Sequence, residues 1–247
     1  PSTMYKSDPW WEIHSLVNAF NENCKAKFAA SIYKVMAKSM SSFHPHTSKT
    51  DLPHLSFILR KPKPLGTEFK VVCCATTGVF LHIEVQCGKI PMNNMKYSKK
   101  FGATTACTLC LIEGAELAGC QKQAEMLKAK LESKAEVFVA DSWFGSVKAA
   151  KAIKTMQRDA NGKPFGNEFT GAVKMNHRNF PKKDLEETML EFPSGSHLVL
   201  ECQVPNGVIL LAVSYYKYNA RKVLCFVATK DAGMTKPGNP YVAKFPD

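Results

Sequence analysis

The chain has 247 residues, 45% apolar and 22% charged, enough to bury a sizeable core in one large or two small domains. No apolar run approaches the ~20 residues of a membrane-spanning helix, and the N-terminal PSTMYKSDPWW carries no signal-peptide core. Lys and Arg number 33 against 21 Asp and Glu, and the resulting charge of +12 favours polyanionic partners, nucleic acid first and acidic membrane surfaces second.

The missing initiator methionine is what an excerpt of a longer reading frame would show. Nine cysteines is an odd number, and Cys73, Cys74, Cys202 and Cys225 sit in apolar, strand-like settings. That usage predicts free, buried thiols in a reducing, intracellular compartment rather than a disulfide framework.

In chain order, Asp8-Pro9 opens a helix whose Trp10, Ile13, Val17 and Phe20 form an apolar stripe, predicted to dock on another element. Residues 31–36 read as a short strand, and a loop carrying His44, Pro45, His46 and Pro53 follows. Two alternating segments, 69–75 and 79–86, flank Thr76-Thr77-Gly78 and predict a hairpin. Residues 101–134 read as helix in two pieces, broken near Gly114 and Gly119. The run VFVAD (137–141) has the character of a buried central strand ending in an acid. In the helix after it, Ala149, Ala152, Ile153 and Met156 oppose Lys148, Lys151, Lys154 and Arg158, a stripe best read as solvated. FTGAVKM (169–175) predicts a strand and KKDLEETML (182–190) a short helix. Leu198, Leu200, Cys202 and Val204 then alternate, Asn206-Gly207 predicts a two-residue hairpin turn, and KVLCFVAT (222–229) a last strand. Hairpins mixed with strand–helix crossovers indicate an α/β or α+β sheet protein.

Asp141 stands where an apolar strand emerges at its C-terminal end, the edge at which α/β sheets place their sites. A carboxylate there has two readings, a ligand for a divalent cation or a cap for the next helix. Cys107 and Cys110 have the spacing of half a zinc site, but nothing completes four ligands and their apolar setting suits packing, so no zinc is expected. Glu84 reads as a sheet-face charge. Basic residues form two loop clusters, Arg60, Lys61 and Lys63 in one, and Lys174, His177, Arg178, Lys182 and Lys183 in the other. Such clusters suit phosphate contacts.

VFVADSWFGSVKAAKAI (137–153) resembles the segment around the second catalytic aspartate of piggyBac-type transposases, and LSFILRKPKPLGTEFK (55–70) is similar to the segment after the first. FGATTACTL (101–109), FPKKDLEETM (180–189), GSHLVLE (195–201) and KVLCFVATK (222–230) resemble, in the same order, the domain found in piggyBac-derived proteins. The resemblance implies an α/β, ribonuclease-H-like mixed sheet with flanking helices and a β-rich C-terminal insertion-like region. It sets out a helical segment at 1–30, the core at 31–174 and the inserted region at 175–247, together an incomplete catalytic domain. It implies DNA as partner and Mg²⁺ as cofactor, no membrane and a nuclear location, and it admits a homodimer. Two departures stand out. Ala37 occupies the slot of the first catalytic aspartate, with Lys38 in that of the adjoining glutamate, and the third aspartate is expected beyond Asp247 with the family's cysteine-rich module. Asp51 lies in a register the family does not use. Asp141 is thus a remnant metal-binding acid, Mg²⁺ is not expected to be held productively, and the domain is expected to bind DNA without cutting it. The alternatives are a fragment of an active metal-dependent transposase, a domesticated protein-interaction module, or a decaying copy.

Overall fold

The computed structural model describes residues 10–42, 55–59, 61–116, 135–158, 164–174, 177, 179–205, 207–218 and 222–232. The chain forms two compact units, Pro1–Glu136 and Val137–Asp247.

The first unit contains α1 (Trp11–Lys27), β1 (Tyr33–Ser42), β2 (Ser56–Phe57), β3 (Leu65–Cys74), β4 (Phe80–Val85), two short helices α2 (Lys89–Asn93) and α3 (Ser98–Phe101), and α4 (Ala103–Glu116). Strand β3 is the hub. It pairs antiparallel with β1 along one edge, Ala37 facing Val71 and Lys38 facing Lys70, and with β2 and β4 along the other. Strand β1 runs to Ser42, well past the expected 31–36, because all of Lys34–Ser42 finds ladder partners on β3. The hairpin between β3 and β4 forms as expected, with Gly78 at φ 72°, a left-handed conformation that costs glycine nothing. No helix break occurs at Gly114, where α4 continues. A Cβ there would lie 2.4 Å from the His82 ring, so the glycine serves close approach rather than termination. Segment 117–134 lies outside the described residues.

Helix α1 departs from its predicted packing. Trp10 is buried, but Ile13, Leu16 and Phe20 are exposed, and Asn21 is the buried residue within the helix. Its side-chain amide exchanges two hydrogen bonds with the backbone of Ile83, accepting from N at 2.9 Å and donating to O at 3.0 Å. Asn21 therefore completes the outer edge of β4 as a neighbouring strand would, which a hydrophobicity pattern cannot register.

The second unit runs β5 (Val137–Ala140), α5 (Val147–Thr155), a small ribbon of β6 (Gln157–Arg158) and β7 (Pro164–Phe165), β8 (Glu168–Ala172), α6 (Lys182–Leu190), β9 (His197–Val204), β10 (Val208–Lys217) and β11 (Lys222–Thr229). Within this unit the strand order is β5-β8-β11-β10-β9, with β5 parallel to β8 and the other pairs antiparallel. The crossover from β5 to β8 passes through α5, whose Ala149, Ala150, Ala152 and Ile153 are buried. Helix α6 has its predicted bounds and buries Leu185 and Met189. The β9–β10 turn is wider than two residues. Its last ladder pair is Val204–Val208, as suits Pro205, which has no N–H to donate. The apolar alternation of β9 also misleads, because Leu200 and Cys202 are exposed while Val199 packs against Leu211, Val213, Ala228 and Ala232.

Candidate functional site

Asp141 follows β5 directly. Its Oδ1 accepts the Trp143 N–H at 2.7 Å, and its carbonyl accepts from Phe144 N and Gly145 N, both at 3.1 Å. The acid thus organises a tight turn of its own and does not cap α5. Ser146 is the cap, its Oγ accepting the Ala149 N–H at 3.0 Å. Phe144 is buried and meets Trp143 edge-on, ring centroids 4.7 Å apart. Gly145 presses the turn against the end of β8, where a Cβ would fall 1.9 Å from the Ala172 carbonyl oxygen and only glycine fits. The carboxylate is thereby held on a rigid edge, half-buried, with one oxygen engaged in the turn.

In the first unit, Ala37 and Lys38 lie at the middle of β1. The Lys61 ammonium reaches that strand and donates to the Lys38 carbonyl at 3.1 Å. Around this point opens a cleft of about 500 Å³, whose lining includes Lys38, Lys61 and Lys63 together with Val71, Cys73 and Phe80. The fold therefore gathers Ala37, Lys38, Lys61 and Lys63 about one cavity, although 61–63 were separated from 37–38 in sequence. Arg60 and Asp51 lie outside the described residues, as do His44 and His46.

The second basic cluster divides. Lys174 and Lys183 are exposed, and Lys183 stands 3.7 Å from Glu187 one turn along α6. His177 is half-buried. Lys182 is buried, with its Nζ donating to the Val173 carbonyl at 3.0 Å and lying 3.7 Å from Glu186, so its ammonium ties α6 to the end of β8. Arg178 lies outside the described residues. The stripe on α5 also changes character, for Lys154 turns inward to an ion pair with the buried Glu168.

A third basic group, not singled out from the sequence, lies at α3. Lys96 sits over the Tyr97 ring at 4.9 Å and Lys100 over Phe101 at 5.0 Å, with Lys99 exposed beside them. Lys96 is bound to Glu113 at 2.9 Å, and hydrogen bonds with Tyr97 and Glu113 hold its ammonium above the ordinary lysine range. The signal was present in KYSKKF, where cations and aromatics interleave. Glu84 Oε1 accepts a hydrogen bond from His82 Nε2 at 3.1 Å. Cys107 is buried and Cys110 half-buried, their thiols pushed by burial up to about 12 and about 11.

The family model described as Transposase IS4 matches residues 1–237. The chain belongs to that transposase family. A cryo-EM structure of the piggyBac transposase synaptic complex with hairpin DNA superposes with a TM-score of 0.68 at 16% identity, over 96% of this chain. The match spans 41% of that transposase chain. The likeness establishes the fold, a ribonuclease-H-like mixed α/β architecture, in agreement with the expectation from the sequence. No curated protein matches.

DDE transposases depend in general on divalent metal ions. Among the described residues no set of side chains fits a metal pair. Ala37 offers a methyl group, the Lys61 ammonium donates to the adjoining Lys38 carbonyl, and among the described residues no three His, Cys, Asp or Glu side chains converge. Also among the described residues, no helix is long and apolar enough to cross a membrane.

Proposed function

We propose that this transposase-family domain holds DNA through phosphate contacts and does not cut it. The observation that carries the reading is the chemistry at β1. Where the family resemblance puts the first catalytic aspartate there is a methyl, and a lysine ammonium lies 3.1 Å from the adjacent carbonyl. Two-metal cleavage needs ions ~4 Å apart held by several carboxylates. A dication within 4 Å of an ammonium is opposed by about 8 kcal/mol at an effective dielectric of 20. Among the described residues Asp141 belongs to no cluster of three or more His, Cys, Asp or Glu side chains that could hold such an ion. In this reading residues 31–174 are the nuclease-like core, 175–247 an inserted region, and the nucleus the place of action.

Phosphate contacts fall to Lys61, Lys63, Lys174 and Lys183, with Arg60 and Arg178 retained from the sequence. Burial removes Lys182 from the set. Each contact lowers the slope of log affinity against log salt by about 0.9 on duplex DNA. Two measurements test the reading. Duplex binding followed by anisotropy is expected to weaken steeply with salt, and a Lys63→Ala, Lys183→Ala double variant to flatten the slope by about two. Supercoiled plasmid incubated with the chain and Mg²⁺ or Mn²⁺ is expected to stay intact. Metal-dependent nicking that disappears in Asp141→Asn would overturn the inactive reading.

A further inference from the structure

The cleft at the vacated aspartate slot has a composition of its own. Its lining combines the cationic Lys61 and Lys63 with the apolar and aromatic Val71, Cys73 and Phe80. Lys61 is fixed in place by its bond to the Lys38 carbonyl, which occupies one of three ammonium donors. Phe80 begins β4 and remains 38% exposed, so part of the side chain is open to solvent. Strand pairing sets these groups at fixed separations, with Ala37 opposite Val71 and Cys73 opposite Phe80.

A slot that binds metal needs negative oxygens, whereas this one offers ammonium hydrogens beside a flat apolar surface. The cavity, about 500 Å³, lies within the roughly 300–1,000 Å³ of small-molecule sites. Ammonium groups that track phosphates and an exposed aromatic ring on which a base stacks are the two elements of single-strand recognition. Ala37 is part of the lining, and the absence of a carboxylate at that position spares an incoming phosphate its like-charge repulsion.

We propose that this cleft is a metal-independent binding site for single-stranded DNA, with a phosphate at Lys61 and Lys63 and a base against Phe80. It rests on the reading that the domain binds DNA, and adds which strand state the cleft takes and that no metal bridges it.

The test uses the full chain and a fluorescent oligo(dT) strand in EDTA, followed by anisotropy, beside a duplex of equal length. Circular dichroism checks that each variant is folded. Phe80→Leu keeps the apolar volume and removes the ring, and is expected to weaken oligo(dT) binding roughly fivefold or more, the lower bound for losing one base stack, while duplex binding is retained. Ala37→Asp is expected to weaken oligo(dT) binding in EDTA. Oligo(dT) affinity unchanged in both folded variants overturns the cleft assignment. So does an unaltered chain that fails to bind oligo(dT), and the duplex arm then tells whether DNA binding at other surfaces survives.

Discussion

Replacing Lys154 by methionine is expected to destabilise the second unit sharply, because it strands a buried charge. Glu168 is only 4% exposed. One carboxylate oxygen pairs with Lys154, and the other accepts the Thr229 hydroxyl at 2.5 Å, while Thr229 in turn accepts the Phe169 N–H at 2.9 Å. Removing one partner of a buried ion pair costs about 3–5 kcal/mol, since the remaining charge keeps its desolvation penalty without its Coulomb attraction. The lower end applies here. The Lys154 side chain is 20% exposed, so water already screens part of the attraction, and the Thr229 hydroxyl still serves Glu168 in the variant. A loss of about 3 kcal/mol follows. Glu168 opens β8 and faces Val137 across the parallel pairing with β5, so the strain falls on the strand that delivers Asp141. Urea unfolding monitored by circular dichroism and Trp fluorescence measures the effect. The double variant Lys154→Met, Glu168→Gln restores neutrality and is expected to recover most of the loss. A single variant within about 1 kcal/mol of the unaltered protein, or a double variant no better than the single, would refute the argument.

Gly145→Ala must displace either the turn or the end of β8, because its methyl would overlap the Ala172 carbonyl; a loss of about 1–3 kcal/mol is expected, with changed Trp143 fluorescence as a local readout. Asn21→Leu deletes both bonds to Ile83 and leaves the outer edge of β4 unpaired, so hydrogen exchange at the Ile83 amide should quicken and stability fall by about 1–3 kcal/mol. Iodoacetamide at pH 8 is expected to label exposed Cys202 and spare buried Cys107 and Cys225, whose thiols burial pushes up to about 12 and about 11. Because those folded values lie above the unfolded thiol's ~8.5, their contribution to stability is complete below pH ~8.5 and is lost as pH rises towards 12. Equal labelling of all three in the folded protein would contradict the packing.

Local signals carried much of the element order. Helix α6 and the strands around Thr76–Gly78 emerged where sequence placed them, because helix propensity, alternation and a turn glycine agree within a few residues. Asp141 was found from position alone, at the end of a short apolar run. Ala37 acquired meaning only from the colinear resemblance to piggyBac-type proteins, since an alanine in a strand announces nothing. Of the two sequence readings of Asp141, as ligand or helix cap, the cap is the one the structure replaces. The structure gives it the turn and gives the cap to Ser146.

The amino-acid order by itself determined the alternation of strands and helices, the excess of positive charge and the family of this protein, all properties of neighbouring residues or of their sum. Tertiary structure alone decided the destinations of the long side chains. Lys154 and Lys182 turn into buried partners, while Lys63 and Lys183 stay exposed, though all four look alike in sequence. A lysine stem is long enough to reach either water or an interior oxygen. Which it chooses depends on whether strand pairing has brought an acceptor beneath it, and that pairing joins residues far apart in the chain.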